Sequence, residues 1–374
     1  MNITWCTTRH FNSDFCSTTQ VEVLNRLSAE GHNVRALGPD QPESQGQWAH
    51  VKIKQSNIKG RKGSSLANNI VKFLKENLSG CNLLFVDWPL VGKVGAFADK
   101  KNIPWVCIDR SPPADSGLFA ALQSKVWRKA WKYVSISTEL KSCLGGTVVS
   151  KTHSEIISEK FGVKPEMLCV LMAGVNISQF NPKPDKKRLS GLNLVYHGRI
   201  DRNRGIMNLP LILERLLENE IDAKLHFIGD GDVYHLLENI SRSQPNLILH
   251  GKLEHEKIPE KISGYQVGLL PMPPIPVWSI ASPLKRSEYL ASGLVVLGVE
   301  HSGHHLPIDH SNKEWYTLIK QQDFVSESVA KLMNWNEKNN FNEMGLKSRK
   351  YAEKNLDWSI TINTLTEWLH QRLE

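Results

Sequence analysis

Residues 282–299, SPLKRSEYLASGLVVLGV, decide how the chain folds. Ser282 can cap a helix, because a serine oxygen accepts from free backbone N–H groups, and Pro283 suits the first helical position. Gly293 can close that helix, since glycine takes the left-handed turn after the last helical residue without strain. Residues 294–299 form a continuous apolar run of the kind that becomes a strand buried on both faces of a parallel sheet. A helix that hands over to such a strand is half of a β–α–β unit, so the fold class is α/β.

The same handover recurs on both sides. NITWC, NVRAL, NLLFVD and PWVCID alternate with amphipathic segments in the first half, and LNLVYHG, AKLHFIG, NLILHG and QVGLLPM do so in the second. A chain of 374 residues exceeds what one core usually serves. The pattern predicts two Rossmann-like, doubly wound parallel-sheet domains at 1–181 and 192–355. The Pro- and Lys-rich stretch 182–191 serves as linker. The tail 356–374, helical in spacing from Trp358, is expected to pack back toward the N-terminal domain.

The net charge of +8 implies an anionic partner: nucleic acid, a phospholipid surface or a phosphorylated small molecule. No stretch reaches the ~20 apolar residues of a membrane span, and the first residues lack the character of a signal peptide. A cytoplasmic protein, peripheral on the inner membrane face, is expected. The six cysteines lie far apart without a C-x-x-C pair, so they read as reduced thiols.

Ligands of an open parallel sheet bind beyond the carboxyl ends of its strands. Three junctions there carry suitable chemistry. In YHGRIDRNRG, Gly198 turns the chain and Arg199 and Arg204 can clamp a diphosphate, each guanidinium donating paired hydrogen bonds. In FIGDGD, Gly229 and Asp230 suit phosphate approach or simple chain reversal. In the opening stretch, the helix start favours an anion, and Glu288 can accept hydrogen bonds from vicinal hydroxyls such as those of a ribose. Taken singly, these segments also read as an arginine-rich loop, a tight turn and an exposed helical acid.

Together, in this order and spacing, with LILHGKLEHEKIPEKISGYQVGLLPM between them and VLMAGVNISQFNP before them, they resemble the retaining glycosyltransferases of family four, also called glycosyltransferases group 1. The resemblance covers the second half well and the first half loosely. It implies the GT-B fold, two Rossmann-like domains facing across a cleft. It also implies a retaining enzyme that moves a sugar from a UDP- or GDP-sugar to a hydroxyl or phosphate acceptor in glycan or glycolipid biosynthesis, without cofactor or metal. Arg199 and Arg204 then hold the diphosphate, and Glu288 the ribose. Ser282, Pro283 and Leu284 present backbone to the distal phosphate, and Leu253 and Ile258 line the base. The family's first glutamate is absent, because position 280 is Ile280. On the acceptor side, Asp109, Arg110 and Asp115 follow a first-domain strand as candidates for acceptor contact or proton transfer. Arg9, His10 and Asp14 replace the family's glycine-rich loop.

Two basic elements bear on the acceptor. Lys125, Arg128, Lys129 and Lys132 share one helical stripe, with Trp127 and Trp131 on another, and Lys52, Lys54, Lys59, Arg61 and Lys62 form a second cluster. Basic residues near tryptophan suit an anionic membrane surface and hence a lipid-linked acceptor. The other reading is a solvated basic face with the tryptophans in the core. The histidines of HSGHHLPIDH have no metal-ligand spacing, and His301 and Gly303 are placed instead beside the donor sugar. Three rivals stand: a GT-B sugar-nucleotide epimerase, a non-catalytic sugar-nucleotide binder and a nucleic-acid-binding protein. The last is disfavoured because the basic residues are scattered and no nucleic-acid module appears.

Overall fold

The structure, a computed structural model, describes residues 1–11, 17–40, 47–58, 60–78, 80–110, 113, 118–182 and 190–374. Asp14, Lys59, Asp115 and most of the expected linker lie outside the described residues. The chain divides into two units, Met1–Met172 with Ser359–Glu374, and Ala173–Trp358. Residues 173–181 therefore build into the second unit. Phe180 is in its core, and Val175 N–H donates to the Leu356 carbonyl at 2.8 Å.

The first unit runs β1 Asn2–Cys6, α1 Thr18–Ala29, β2 Asn33–Gly38, β3 Ala49–Lys52, α2 Lys62–Glu76, β4 Leu83–Asp87, α3 Ala96–Lys100, β5 Trp105–Ile108, α4 Leu118–Leu140, β6 Cys143–Val148, α5 Lys151–Phe161 and β7 Leu168–Val170. Its seven strands pair in parallel in the order β3-β2-β1-β4-β5-β6-β7. β4 is buried along its length, and apolar up to its last residue Asp87, because helices cover both faces. One of those faces is closed by the C-terminal helix Trp358–Leu373, whose Ile362, Leu365, Trp368 and Leu369 pack with Ile3, Trp5 and Phe85.

The second unit runs β8 Leu192–His197, α6 Asn208–Glu218, β9 Ala223–Ile228, α7 Tyr234–Ser243, β10 Leu247–Leu249, α8 Ile258–Ile262, β11 Val267–Leu270, α9 Pro276–Ser279, α10 Leu284–Ala291, β12 Val295–Val299, β13 Tyr316–Ile319, α11 Phe324–Lys338 and α12 Phe341–Asn355. Its parallel order is β10-β9-β8-β11-β12-β13, which reverses at β8 and so opens a crevice at the carboxyl ends of β8 and β11. Seven of the eight residues of α10, Lys285 to Ala291, are buried. Its Tyr289 ring fills the space left by Gly268 on β11, and its hydroxyl accepts from His197 N–H at 3.0 Å. That contact fixes α10 to the end of β8.

A histidine chain runs across this sheet beneath the crevice, from β8 through β9 to the residue after β10. His226 Nε2 lies 3.0 Å from Asn193 Oδ1, and its Nδ1 lies 3.0 Å from His250 Nε2. His226 therefore donates from Nε2 to Asn193 and accepts at Nδ1 from His250, which leaves it no room for a second proton. Burial pushes His226 down to about 3 and His250 to about 4. Because the unfolded chain takes up these protons near pH 6.5, the stability the neutral pair contributes is present above that pH and is lost as pH falls toward 4 and 3. Each excluded proton contributes a slope of up to about 1.4 kcal/mol per pH unit, less at His250, which solvent partly screens. The melting temperature is expected to fall from pH 7 to pH 4 and to fall less in His226→Gln; a profile unchanged by that substitution would remove the histidines as its cause.

Candidate active site

The crevice is built from strand ends that hold one another. Gly198 N–H donates to the Ile228 carbonyl, Gly229 N–H to the Gly251 carbonyl and Ile200 N–H to the Asp230 carbonyl. Gly229 is at φ 144°, and a side chain there would put its Cβ 1.9 Å from the Gly198 carbonyl oxygen. Only glycine lets the two turns lie this close. Asp230 itself is exposed, and its side chain accepts from Gly231 N–H.

Arg199 and Arg204 come together on Asp201, an acid that sequence reasoning overlooked. Arg199 Nε and Nη2 donate to the two oxygens of Asp201 at 3.1 and 2.9 Å, and Arg204 Nε lies 3.6 Å from the same carboxylate. Burial opposes ionisation of Asp201, but the arginines outweigh it and hold its carboxyl below the usual range. The Arg204 guanidinium also lies 4.4 Å above the Trp278 ring. Asp201 thus pre-orients two guanidiniums at the β8 turn, where such forks can donate to an anion.

Glu288 is 3% exposed, so it is not the exposed acid that its helix alone suggested. His255 Nε2 is 2.8 Å from one carboxylate oxygen and His197 Nε2 is 3.1 Å from the other. Burial alone would raise its pKa, yet the two imidazoles outweigh it and hold Glu288 well below the carboxylate range. Burial lowers the pKa of His197, and the neighbouring Glu288 carboxylate opposes that shift. Each carboxylate oxygen keeps a lone pair, so the pair of histidines aims the carboxylate while it can still accept from a ligand hydroxyl.

A third cation completes the group. Lys285 is 7% exposed, its Nζ donates to the Tyr196 hydroxyl at 3.0 Å, and it lies 4.2 Å over that ring. A Cβ at Gly198 would fall 3.2 Å from this nitrogen, which places the ammonium at the β8 turn. The sequence held a signal for it, because Lys285 follows the helix-opening Ser-Pro-Leu directly.

The start of α10 differs from expectation. Pro283 takes the capping position with extended backbone, and the helix begins at Leu284. The Ser282 hydroxyl instead accepts from Ala173 N–H at 3.0 Å and from Arg286 Nη2 at 3.3 Å. Gly293 closes the helix at φ 71°, as its sequence implied. Leu253 is half-buried, whereas Ile258 belongs to the core. Ile280 is 8% exposed and apolar.

In the first unit the candidates scatter. Asp109 is fully buried and accepts from Trp127 Nε1 at 2.6 Å and Trp131 Nε1 at 2.9 Å, with His153 Nε2 at 3.5 Å. The carboxylate thus organises α4 over the sheet, and both tryptophans are in the core rather than on a membrane face. Arg110 donates to the Leu171 carbonyl and to Thr19 Oγ1. His10 is exposed beside Asp40 and Gln55, and Arg9 N–H donates to Thr7 Oγ1. Asp87, at the end of β4, was missed: Trp5, Thr7 and Thr8 donate to it.

The family described as Glycosyl transferases group 1 matches residues 191–335, the part of the chain that holds all the donor-side residues above. Among solved structures, sucrose-phosphate synthase from Thermosynechococcus elongatus is similar at a TM-score of 0.77 and 15% identity, over 99% of this chain and 98% of its own. A glycosyltransferase from Rickettsia africae is similar at 0.75 and 13%, over 100% and 98%. Anabaena HepE, solved in complex with UDP and glucose, is similar at 0.74 and 10%, over 99% and 100%. No curated protein matches the chain. At these identities the likeness is one of fold, and it extends over both units.

Proposed function

We propose that this chain is a GT-B glycosyltransferase that transfers a sugar, with retention, from a UDP- or GDP-sugar to a lipid-linked acceptor at an anionic membrane face. The observation that carries the donor side is the convergence of Arg199, Arg204 and Lys285 on the β8 turn beside the histidine-held Glu288. A departing nucleoside diphosphate gains negative charge as its bond to the sugar breaks, and cations already fixed in place stabilise that charge without reorganising. Glu288 supplies the acceptor for ribose hydroxyls. UDP bound in HepE and in the pneumococcal O-GlcNAc transferase GtfA supports the same ligand class here. Addition of UDP or GDP at a hundred times its Kd is expected to stabilise the protein by ~2.7 kcal/mol, seen as a thermal shift that Arg199→Ala diminishes. No shift with any nucleoside diphosphate would end the donor-site reading, and inversion at the anomeric carbon of the product, read by NMR, would end retention.

The membrane side rests on α4. Leu122, Val126, Ile136 and Leu140 are all exposed, and at 100° per residue they fall within an arc of about 80°. Lys129 lies within that arc and Lys125 and Lys132 lie along its edge, all exposed. An apolar stripe edged by cations suits an anionic lipid surface, where each lysine contributes on the order of 1 kcal/mol. No helix among the described residues is long and apolar enough to cross a membrane. The protein is expected to sediment with phosphatidylglycerol vesicles, and the double variant Lys125→Glu, Lys129→Glu to lose at least about 30-fold in affinity, the two lysines together. Equal sedimentation of parent and variant would return the stripe to a solvated helix face.

A further inference from the structure

The loop after β12 holds a pair of histidines, His301 and His304, of which the sequence placed His301 beside the donor sugar. It leaves the carboxyl end of β12, next to the carboxyl end of β11, from which the connection to α10 departs. The two connections are pressed together. A Cβ at Gly303 would meet the Trp278 carbonyl oxygen at 2.0 Å, and Ser302 Oγ donates to the Ser279 carbonyl at 2.6 Å. Arg286, from α10, donates to the carbonyls of Gly303 and His305 at 3.3 and 2.7 Å, so the loop is held against the residues that precede the donor helix.

Inside this fixed loop the rings of His301 and His304 lie 3.8 Å apart, centroid to centroid. His304 is fully buried and donates Nδ1–H to the Val299 carbonyl at 2.6 Å. Its Nε2 is then a lone-pair acceptor, buried with no hydrogen-bond partner. His301 is 7% exposed and directed to the Met272 carbonyl at the end of β11. Burial pushes His301 down to about 4 and holds His304 well below the usual imidazole range, so both rings are uncharged at neutral pH. Buried polar atoms normally find partners, and an orphaned acceptor at a ligand-binding end of a sheet calls for one from outside the chain. Nearby, Ile280 is buried and apolar where the resemblance reserves a sugar-binding carboxylate.

We infer that His301, backed by His304, reads the donor sugar, accepting from hydroxyl groups of a neutral sugar in place of the missing acid at position 280. The inference rests on the donor-site reading above. Its chemistry selects against a uronate: the imidazoles are uncharged, Ile280 offers no polar group, and the Arg286 guanidinium already donates to the carbonyls of its own loop. A neutral hydroxyl-bearing hexose or N-acetylhexosamine can give an O–H to His301, while His304 stays behind it.

The test compares affinity for UDP and GDP with affinity for UDP-glucose, UDP-N-acetylglucosamine, GDP-mannose and UDP-glucuronate by titration calorimetry. The parent is expected to bind one neutral sugar conjugate more tightly than the matching bare diphosphate. His301→Ala is expected to reduce that advantage by about three- to tenfold while leaving the bare diphosphate affinity unchanged, and His301→Gln to recover part of it. Retained diphosphate affinity also shows that the variant is folded. An advantage that survives in His301→Ala, a variant that loses the diphosphate instead, or a preference for the glucuronate overturns the inference. A parent that binds the diphosphates but no conjugate more tightly overturns it alone. A parent that binds no diphosphate overturns the donor-site reading with it.

Discussion

Glu288→Gln is expected to weaken nucleoside diphosphate binding by about 10- to 100-fold, which corresponds to one hydrogen bond lost to a charged group. The carboxylate is nearly inaccessible and is aimed by imidazoles on both oxygens, His255 at 2.8 Å and His197 at 3.1 Å. An amide of the same shape keeps one acceptor oxygen but turns an NH2 group toward the other imidazole N–H. That histidine must then change tautomer or lose its bond, so the aim is lost along with the charge. A ribose takes no part in bond breaking, so the loss belongs to ground state and transition state alike. It appears in donor Kd and KM, while kcat falls much less. Titration with the bare diphosphate and steady-state kinetics separate the two. Unchanged affinity in Glu288→Gln would remove Glu288 from the donor site.

How far the sequence reveals this site depends on which interactions are local. The apolar runs at 192–197 and 295–299 are buried strands because periodicity is a property of neighbouring residues. Gly198, Gly229 and Gly293 could be placed at turns for the same reason. The pairing of Glu288 with His197 and His255 could not, because 91 and 33 residues separate them and only the tertiary fold joins α10 to the end of β8 and to the turn before α8. Asp201 hides for a different reason: its charge lies between two arginines in a polar loop, where solvation is the ordinary expectation. The first unit shows the reverse error. Asp109 follows a strand and so looked accessible, yet the indole N–H groups of Trp127 and Trp131, one helical turn apart on α4, enclose it. Sequence pattern locates the carboxyl end of a strand, but packing decides whether a side chain there meets solvent.

Lys285→Met is expected to move stability and binding in opposite directions. The ammonium is 7% exposed, between the Tyr196 hydroxyl and ring, and burying a cation costs several kcal/mol of lost hydration that such contacts offset only in part. A methionine of similar length fills the volume without that penalty, so the melting temperature should hold or rise by a few degrees. The same substitution removes one of three cations at the β8 turn. Diphosphate affinity should therefore fall by about 10- to 100-fold, the range for a charge-assisted hydrogen bond. A cation kept at a cost to the folded state is one that a ligand requires, and the opposite signs are the mark of that requirement. The converse pair, a large drop in melting temperature with diphosphate affinity intact, would make Lys285 a packing residue for Tyr196. The donor diphosphate would then rest on Arg199, Arg204 and the start of α10 alone.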